Sequence, residues 1–199
     1  MIGIVDYGAG NLKSIEKAFD FLHAESKILT SPDEFAFIDS LLLPGVGSFG
    51  YAMERIKERG LYESLKKWIE SNRPFLGICL GLQFLFESSQ ESVGIEGLSV
   101  FKGICKKFSE KKVPQIGWNN IRIVKDSDLL KGIRTDEFFY FVHSYYVAPE
   151  ESDIVIAVSN YGVDFTSILG RGKVFAVQFH PEKSGHVGLK LLKNWVELC

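Results

Sequence analysis

A chain of 199 residues, 46% of them hydrophobic, has the size of one domain, or of one with an appended subdomain, and can bury about 70% of its unfolded surface. Its formal net charge of −2 leaves no electrostatic footprint for nucleic acid, and the one basic cluster, KKFSEKK at 106–112, reads as a solvated hairpin or loop. Cys79, Cys105 and Cys199 form no CxxC pair and leave an odd count, which argues against a disulfide framework and for a reducing cytosol.

The N-terminal MIGIVDYG lacks the basic start of a signal peptide, and no apolar stretch approaches the ~18 residues of a membrane span. The expectation is a soluble cytoplasmic protein. IGIV (2–5) reads as a buried strand, followed by the glycine-rich DYGAGN and an amphipathic helix from about Leu12 to Leu22. SLLLPGVGSFG (40–50) is a second apolar strand ending in proline and glycines. Two helical stretches, 49–58 and 62–71, flank Gly60; FLGI (75–78) is another strand, with LGLQFLFESS behind it as a short helix. Apolar strands alternating with amphipathic helices imply a parallel sheet covered on both faces.

From about Gly97 to Phe179 the pattern changes to short β runs: LSVFKG, WNNIRIV, FFYFVHSYYV, DIVIAVSNYG, FTSILGRG and KVFAVQFH. These read as antiparallel strands joined by hairpins, with RGK as one turn. A last helix spans 188–198. The expected architecture is one α/β domain over 1–199, an open, mostly parallel sheet flanked by helices with an antiparallel β extension.

Three stretches, DYGAGN, PGVGSFG and GICLGLQ, fall at the carboxyl ends of expected parallel strands, where open α/β sheets place their ligand sites. GICLG has the form G-x-C-x-G, the cysteine analogue of a nucleophile elbow, in which small neighbours let strand and helix approach around a strained turn. A buried structural cysteine is the other reading, and this motif alone leaves both open. A helix dipole supplies only about 0.3–1 kcal/mol, too little to activate a thiol, so an elbow needs a base. His23 ends the first helix and His186 opens the last. His180 projects from a strand end with Glu182 two residues on, which suits a base and its orienting carboxylate. PGVG (44–47) and the N–H of Leu80 can supply an oxyanion hole. DYGAGNLK fails as a dinucleotide fingerprint because Lys13 stands where the third glycine belongs.

PGVGSFG, GICLGLQFLFE, GWN, YFVHSYY and QFHPEKS, in this order and spacing, resemble the class I (triad) glutamine amidotransferases over essentially the whole chain. The most similar branch is that of the glutaminase subunits of imidazole glycerol phosphate synthases in histidine biosynthesis. The resemblance implies a flavodoxin-like fold and no cofactor or metal. It makes Cys79 the nucleophile, His180 the proton shuttle and Glu182 its orienter, with an oxyanion hole at Gly45, Val46 and Leu80. Gln83, Gly47, Ser144 and Tyr145 would hold the substrate glutamine; many relatives carry Thr where this chain has Ser144. The implied partner is a (β/α)8-barrel cyclase forming a heterodimer that receives ammonia, with Asn11, Trp118, Tyr140 and Lys183 near the interface and passage. The oxyanion loop is expected to be competent mainly when the partner's site is occupied. A paralogue feeding another pathway, such as surface-sugar amidation, and a catalytically silent scaffold subunit are the alternatives.

Overall fold

The computed structural model describes Met1–Cys199. The first half runs β1 (Ile2–Val5), α1 (Leu12–Phe21), β2 (Ser26–Leu29), β3 (Ser40–Leu43), α2 (Phe49–Glu58), α3 (Leu61–Glu70), β4 (Phe75–Ile78) and the single turn α4 (Leu80–Gln83). The second half adds β5 (Ser88–Ser89), β6 (Gly103–Lys107), β7 (Gln115–Asn120), β8 (Arg122–Ile123), β9 (Phe138–His143) and β10 (Tyr145–Pro149). It finishes with β11 (Val155–Asn160), β12 (Asp164–Arg171), β13 (Val174–Val177) and α5 (Gly185–Glu197).

The central sheet has the order β2-β1-β3-β4-β13-β12-β11-β8. Its first five strands are parallel and the last three antiparallel, so the expected parallel sheet and its β extension are one continuous sheet. Alternation along each strand divides the core in two. Leu41 and Leu43 of β3 face Ile56, Leu65 and Trp68 of α2 and α3, while Leu42 faces the side of Ile15, Phe19, Leu191 and Trp195 of α1 and α5. Both faces being covered is why IGIV, SLLL and FLGI are apolar at nearly every position. Two smaller sheets, β10-β6-β5 and β7-β9, stand over the carboxyl edge.

Three expectations need correction. LGLQFLFESS is helical only over Leu80–Gln83, because Phe84, Leu85 and Phe86 are all fully buried and three consecutive residues cannot share one helix face. Their carbonyls instead accept from Leu98, Ser99, Val100 and Phe101, which also turns LSVFKG from the expected strand into a bend; the strand starts only at Gly103. SKIL, the half-exposed edge strand β2, has no apolar run and went unread. The last helix begins at Gly185, ahead of the expected 188, and packs on the turn Pro181–Lys183.

Two glycines determine how closely α4 approaches the sheet. A methyl group on Gly81 would run into the Leu43 carbonyl oxygen of β3, and one on Gly77 would stand 2.7 Å from the carbonyl oxygen of Gly81. Neither neighbour is a flexible side-chain end that could move aside. Gly81→Ala is expected to destabilise the fold by about 3 kcal/mol, the upper range for overpacking. Urea unfolding checks this, and an unchanged midpoint would show that the turn does not need the glycine.

Candidate active site

Cys79 is the single residue between β4 and α4, at φ 55° and ψ −106°. A non-glycine residue at positive φ costs of order 1–3 kcal/mol and persists only when its surroundings over-determine it. Here they do. The Cys79 N–H donates to Val177 O at 2.8 Å, and its carbonyl accepts from Leu82 and Gln83 at 3.0 and 3.3 Å. The thiol is buried among apolar residues of one core half, with its sulfur 3.9 Å from Val142 O.

The expected base arrives by the neighbouring strand. Val177 of β13 pairs with Ile78 of β4, so the chain leaving β13 passes directly beside the elbow. His180 follows, its backbone N–H bonded to Tyr140 O at 2.9 Å. Its Nδ1–H donates to Glu182 Oε1 at 2.9 Å, and the two side chains are only 3% and 2% exposed. That bond leaves Nε2 as the basic nitrogen toward Cys79, without a hydrogen bond of its own in this state. Burial works to lower the His180 imidazole; the Cys79 sulfur and the Glu182 carboxylate outweigh it and push it up to about 10. His180 is therefore well able to hold a proton, as the base of a nucleophile–base pair requires.

The oxyanion hole is not assembled. The Leu80 N–H donates to the Gly45 carbonyl oxygen, at a long 3.5 Å. A trans peptide points its N–H away from its C=O, so the Val46 N–H is turned from the same spot, toward the buried Tyr7 hydroxyl. In this resting state Gly45, Val46 and Leu80 therefore do not present two donors to one point. The material for it is present: Gly45 packs so closely on Leu80 that a methyl there would collide, while Gly47, at φ 93°, has open space around it.

A cavity of about 320 Å³ opens above Cys79. Of the expected substrate residues, Gly47, Gln83, Ser144 and Tyr145 all line it, with Val46, Leu80 and His180. Gln83 is more constrained than expected: its Nε2 donates to Tyr145 O at 3.1 Å and to Gln178 Oε1 at 3.3 Å, which leaves its Oε1 to accept from a ligand. Glu91, which the sequence reading passed over, supplies the cavity's only carboxylate and accepts from the Phe49 N–H at 2.7 Å. Asn11, Trp118, Tyr140 and Lys183 lie outside the cavity. Register pairs Ile116 with Val142, Trp118 with Tyr140, and Asn120 with Phe138 across β7 and β9. Ile116, Trp118 and Phe138 are more than half exposed, and Val142 joins this apolar face to the cavity.

His143, also on the cavity wall, is the electrostatic opposite of His180. Its Nδ1–H donates to Tyr145 O at 2.8 Å, among the rings of Phe108, Phe141 and Phe165. Burial pushes it down to about 4; the Tyr145 carbonyl resists this and the neighbouring His180 adds to it. The unfolded chain, with histidine near 6.5, binds more protons than the folded one between these values, so stability is complete above about pH 6.5 and falls toward pH 4. At pH 5 the penalty is about 2 kcal/mol. Urea unfolding at pH 7 and pH 5 should show this loss in the native chain and its absence in His143→Gln; equal losses in both would place the acid sensitivity elsewhere.

The matrix of positions extends to known proteins. Residues 3–198 match the model of the family described as glutamine amidotransferase class-I. The chain is 49% identical over 199 residues to "Imidazole glycerol phosphate synthase subunit HisH" of Methanocaldococcus jannaschii, covering 100% of both chains. It is 48% identical to the protein of the same name from Methanothermobacter thermautotrophicus, covering 100% of this chain and 98% of that one. Among solved structures, one described as a glutamine amidotransferase superposes with a TM-score of 0.78 at 18% identity, over 99% of this chain and 97% of the other. PurLQS from Thermotoga maritima superposes with a TM-score of 0.79, also at 18% identity, over 98% and 97%. Those two establish the shared fold, and the family match with the close relatives goes further: this chain belongs to the class-I glutamine amidotransferases.

Proposed function

We propose that this chain is the glutaminase subunit of an imidazole glycerol phosphate synthase, releasing ammonia from glutamine for a cyclase subunit in histidine biosynthesis. The observation that carries the chemistry is the set Cys79, His180 and Glu182, buried together, with Cys79 and His180 lining one cavity and Glu182 behind His180. Full-length identity near half to subunits of that synthase supports the pathway.

In this reading the glutamine side-chain amide enters over Cys79. The sulfur attacks the amide carbon, and charge moves onto the oxygen. His180 then gives its Nε2 proton to the departing nitrogen, ammonia leaves, and a γ-glutamyl thioester remains. Water, deprotonated by His180, hydrolyses it to glutamate. Glu182 keeps Nδ1 protonated and the ring in place throughout. At the other end of the substrate, Glu91 and the free Oε1 of Gln83 suit the α-ammonium, and the chain at Ser144 and Tyr145 suits the α-carboxylate.

The oxygen's charge needs two N–H donors that the resting chain withholds. Turning the Gly45–Val46 peptide would remove a carbonyl dipole of the wrong sign and present Val46 and Leu80 together. A (β/α)8-barrel cyclase docking on the apolar face of β7 and β9, next to Asn11 and Lys183, would both trigger that turn and take the ammonia before it protonates. Val142, shared by that face and the cavity, is where the two adjoin.

Cys79→Ala is expected to abolish glutamine-dependent synthesis by the complex while ammonium salts still support it; equal loss with both nitrogen sources would refute the division of labour. The isolated chain should be a weak glutaminase, stimulated about 10²-fold or more by the barrel partner with its ligand, the worth of an oxyanion donor. Full activity of the chain alone would contradict gating. Glu91→Gln should raise KM for glutamine with kcat little changed, and an unchanged KM would remove Glu91 from the substrate site.

A further inference from the structure

Gln178 lies on the chain between β13 and His180, fully buried at 0% exposure, and no step above uses it. Its backbone N–H is bonded to Ser167 O of β12 at 2.9 Å, which fixes where the side chain starts. From there its Nε2 donates to Cys79 Sγ at 3.7 Å, and its Oε1 accepts from Gln83 Nε2 at 3.3 Å.

The direction of these bonds follows from one carbonyl. Tyr145 O can only accept, so the end of the Gln83 amide facing it, at 3.1 Å, must be NH₂. The same NH₂ faces Gln178, so the end of Gln178 that meets it must be oxygen. The remaining end of Gln178, turned to the sulfur, must be NH₂. A backbone carbonyl on the substrate-binding strand thus sets the polarity of two amides in series and delivers a donor to the nucleophile.

We propose that Gln178 is a catalytic residue, the hydrogen-bond donor that holds negative charge on the Cys79 sulfur alongside His180. It transfers no proton. As the S–C bond forms, charge moves from sulfur to the substrate oxygen and the Gln178 bond weakens. When the thioester is cleaved, the C–S electron pair returns to sulfur and the bond is remade. The relay also ties this donor to Tyr145, at the start of β10 and next to Ser144, so a shift of Tyr145 O on glutamine binding is felt at the sulfur.

The proposal rests on Cys79 being the nucleophile, and the test separates the two ideas. Iodoacetamide labelling of the native chain, with the site read by mass spectrometry and the rate followed against pH, examines Cys79 itself: no labelling there would overturn the nucleophile reading. Gln178→Met keeps the length without the donor, and Gln178→Glu keeps the shape with an oxygen facing sulfur. Both should move half-maximal Cys79 labelling to higher pH by about one unit or more, as expected for a lost bond to a charged group. In the complex both should lower glutamine-dependent kcat/KM about ten- to hundredfold, with ammonium-supported synthesis unchanged. The Glu variant fills the native volume and carries the test if the Met variant does not fold. Labelling profiles that coincide with the native one in a folded variant would show that Gln178 only packs, and would overturn the proposal.

Discussion

Cys79 can keep its positive φ because two hydrogen-bonded systems grip it from opposite sides. Its N–H belongs to the ladder between β4 and β13, and its carbonyl starts the turn of α4. Those systems can come this close only because Gly77 and Gly81 carry no side chain where β3, β4 and α4 meet. Every other feature of the site takes its place from this crossing. The same ladder aims the end of β13 past the sulfur, so His180 needs no long loop to reach it. The central position of β4 in the sheet makes the elbow stiff, and stiffness suits a nucleophile whose attack distance matters.

The electrostatics of the site follow from burial acting on groups with different neighbours. His143 and His180 are both buried and both hold their Nδ1 proton against an acceptor. A carbonyl dipole beside His143 is too weak to offset desolvation, and that ring stays neutral; a carboxylate and the sulfur beside His180 reverse the outcome. The short α4 adds little, since a single turn has almost no macrodipole. Activation of the thiol therefore falls to individual donors at the sulfur. In the resting chain the donor in place is the Gln178 amide, polarised through Gln83 by Tyr145 O, while His180 Nε2 stands toward the sulfur without a hydrogen bond.

Residues whose role depends on their own chain neighbourhood were legible in the sequence. IGIV and FLGI declare buried parallel strands, GICLG declares a tight strand-to-helix turn, and FHPE places a base and its orienter two residues apart. Glu91 was not legible, because its place in the cavity depends on α2 beginning at Phe49, forty-two residues away, where it caps the N–H. Gln178 stood in a quoted motif with no role, since a glutamine at a strand end is ordinary until its amide is seen against sulfur. Phe84–Phe86 misled because an apolar run fits both a helix and a buried irregular segment, and only the partners at 98–101 decide between them. The state of the Gly45–Val46 peptide was beyond reach for a different reason: glycine permits both orientations at similar cost, so local sequence does not select one.

That last point gives the resting structure its logic. Cys79, His180 and the cavity above them are in place in the isolated chain; what the proposed reaction would still need is a place for developing negative charge. A carbonyl oxygen occupies the direction from which Leu80 should donate, and it does so through a bond of 3.5 Å, near the limit of a useful hydrogen bond. A latch that weak can be displaced by modest binding energy, whereas a disordered triad would have to be rebuilt around buried charge at far greater cost. Control placed on one flexible peptide, with Gly45 and Gly47 on either side of Val46, would let the strained Cys79 remain permanently assembled and still slow in the proposed reaction. The apolar face of β7 and β9 reaches this cavity through Val142, so a partner seated there would touch a wall of the same cavity that Val46 lines.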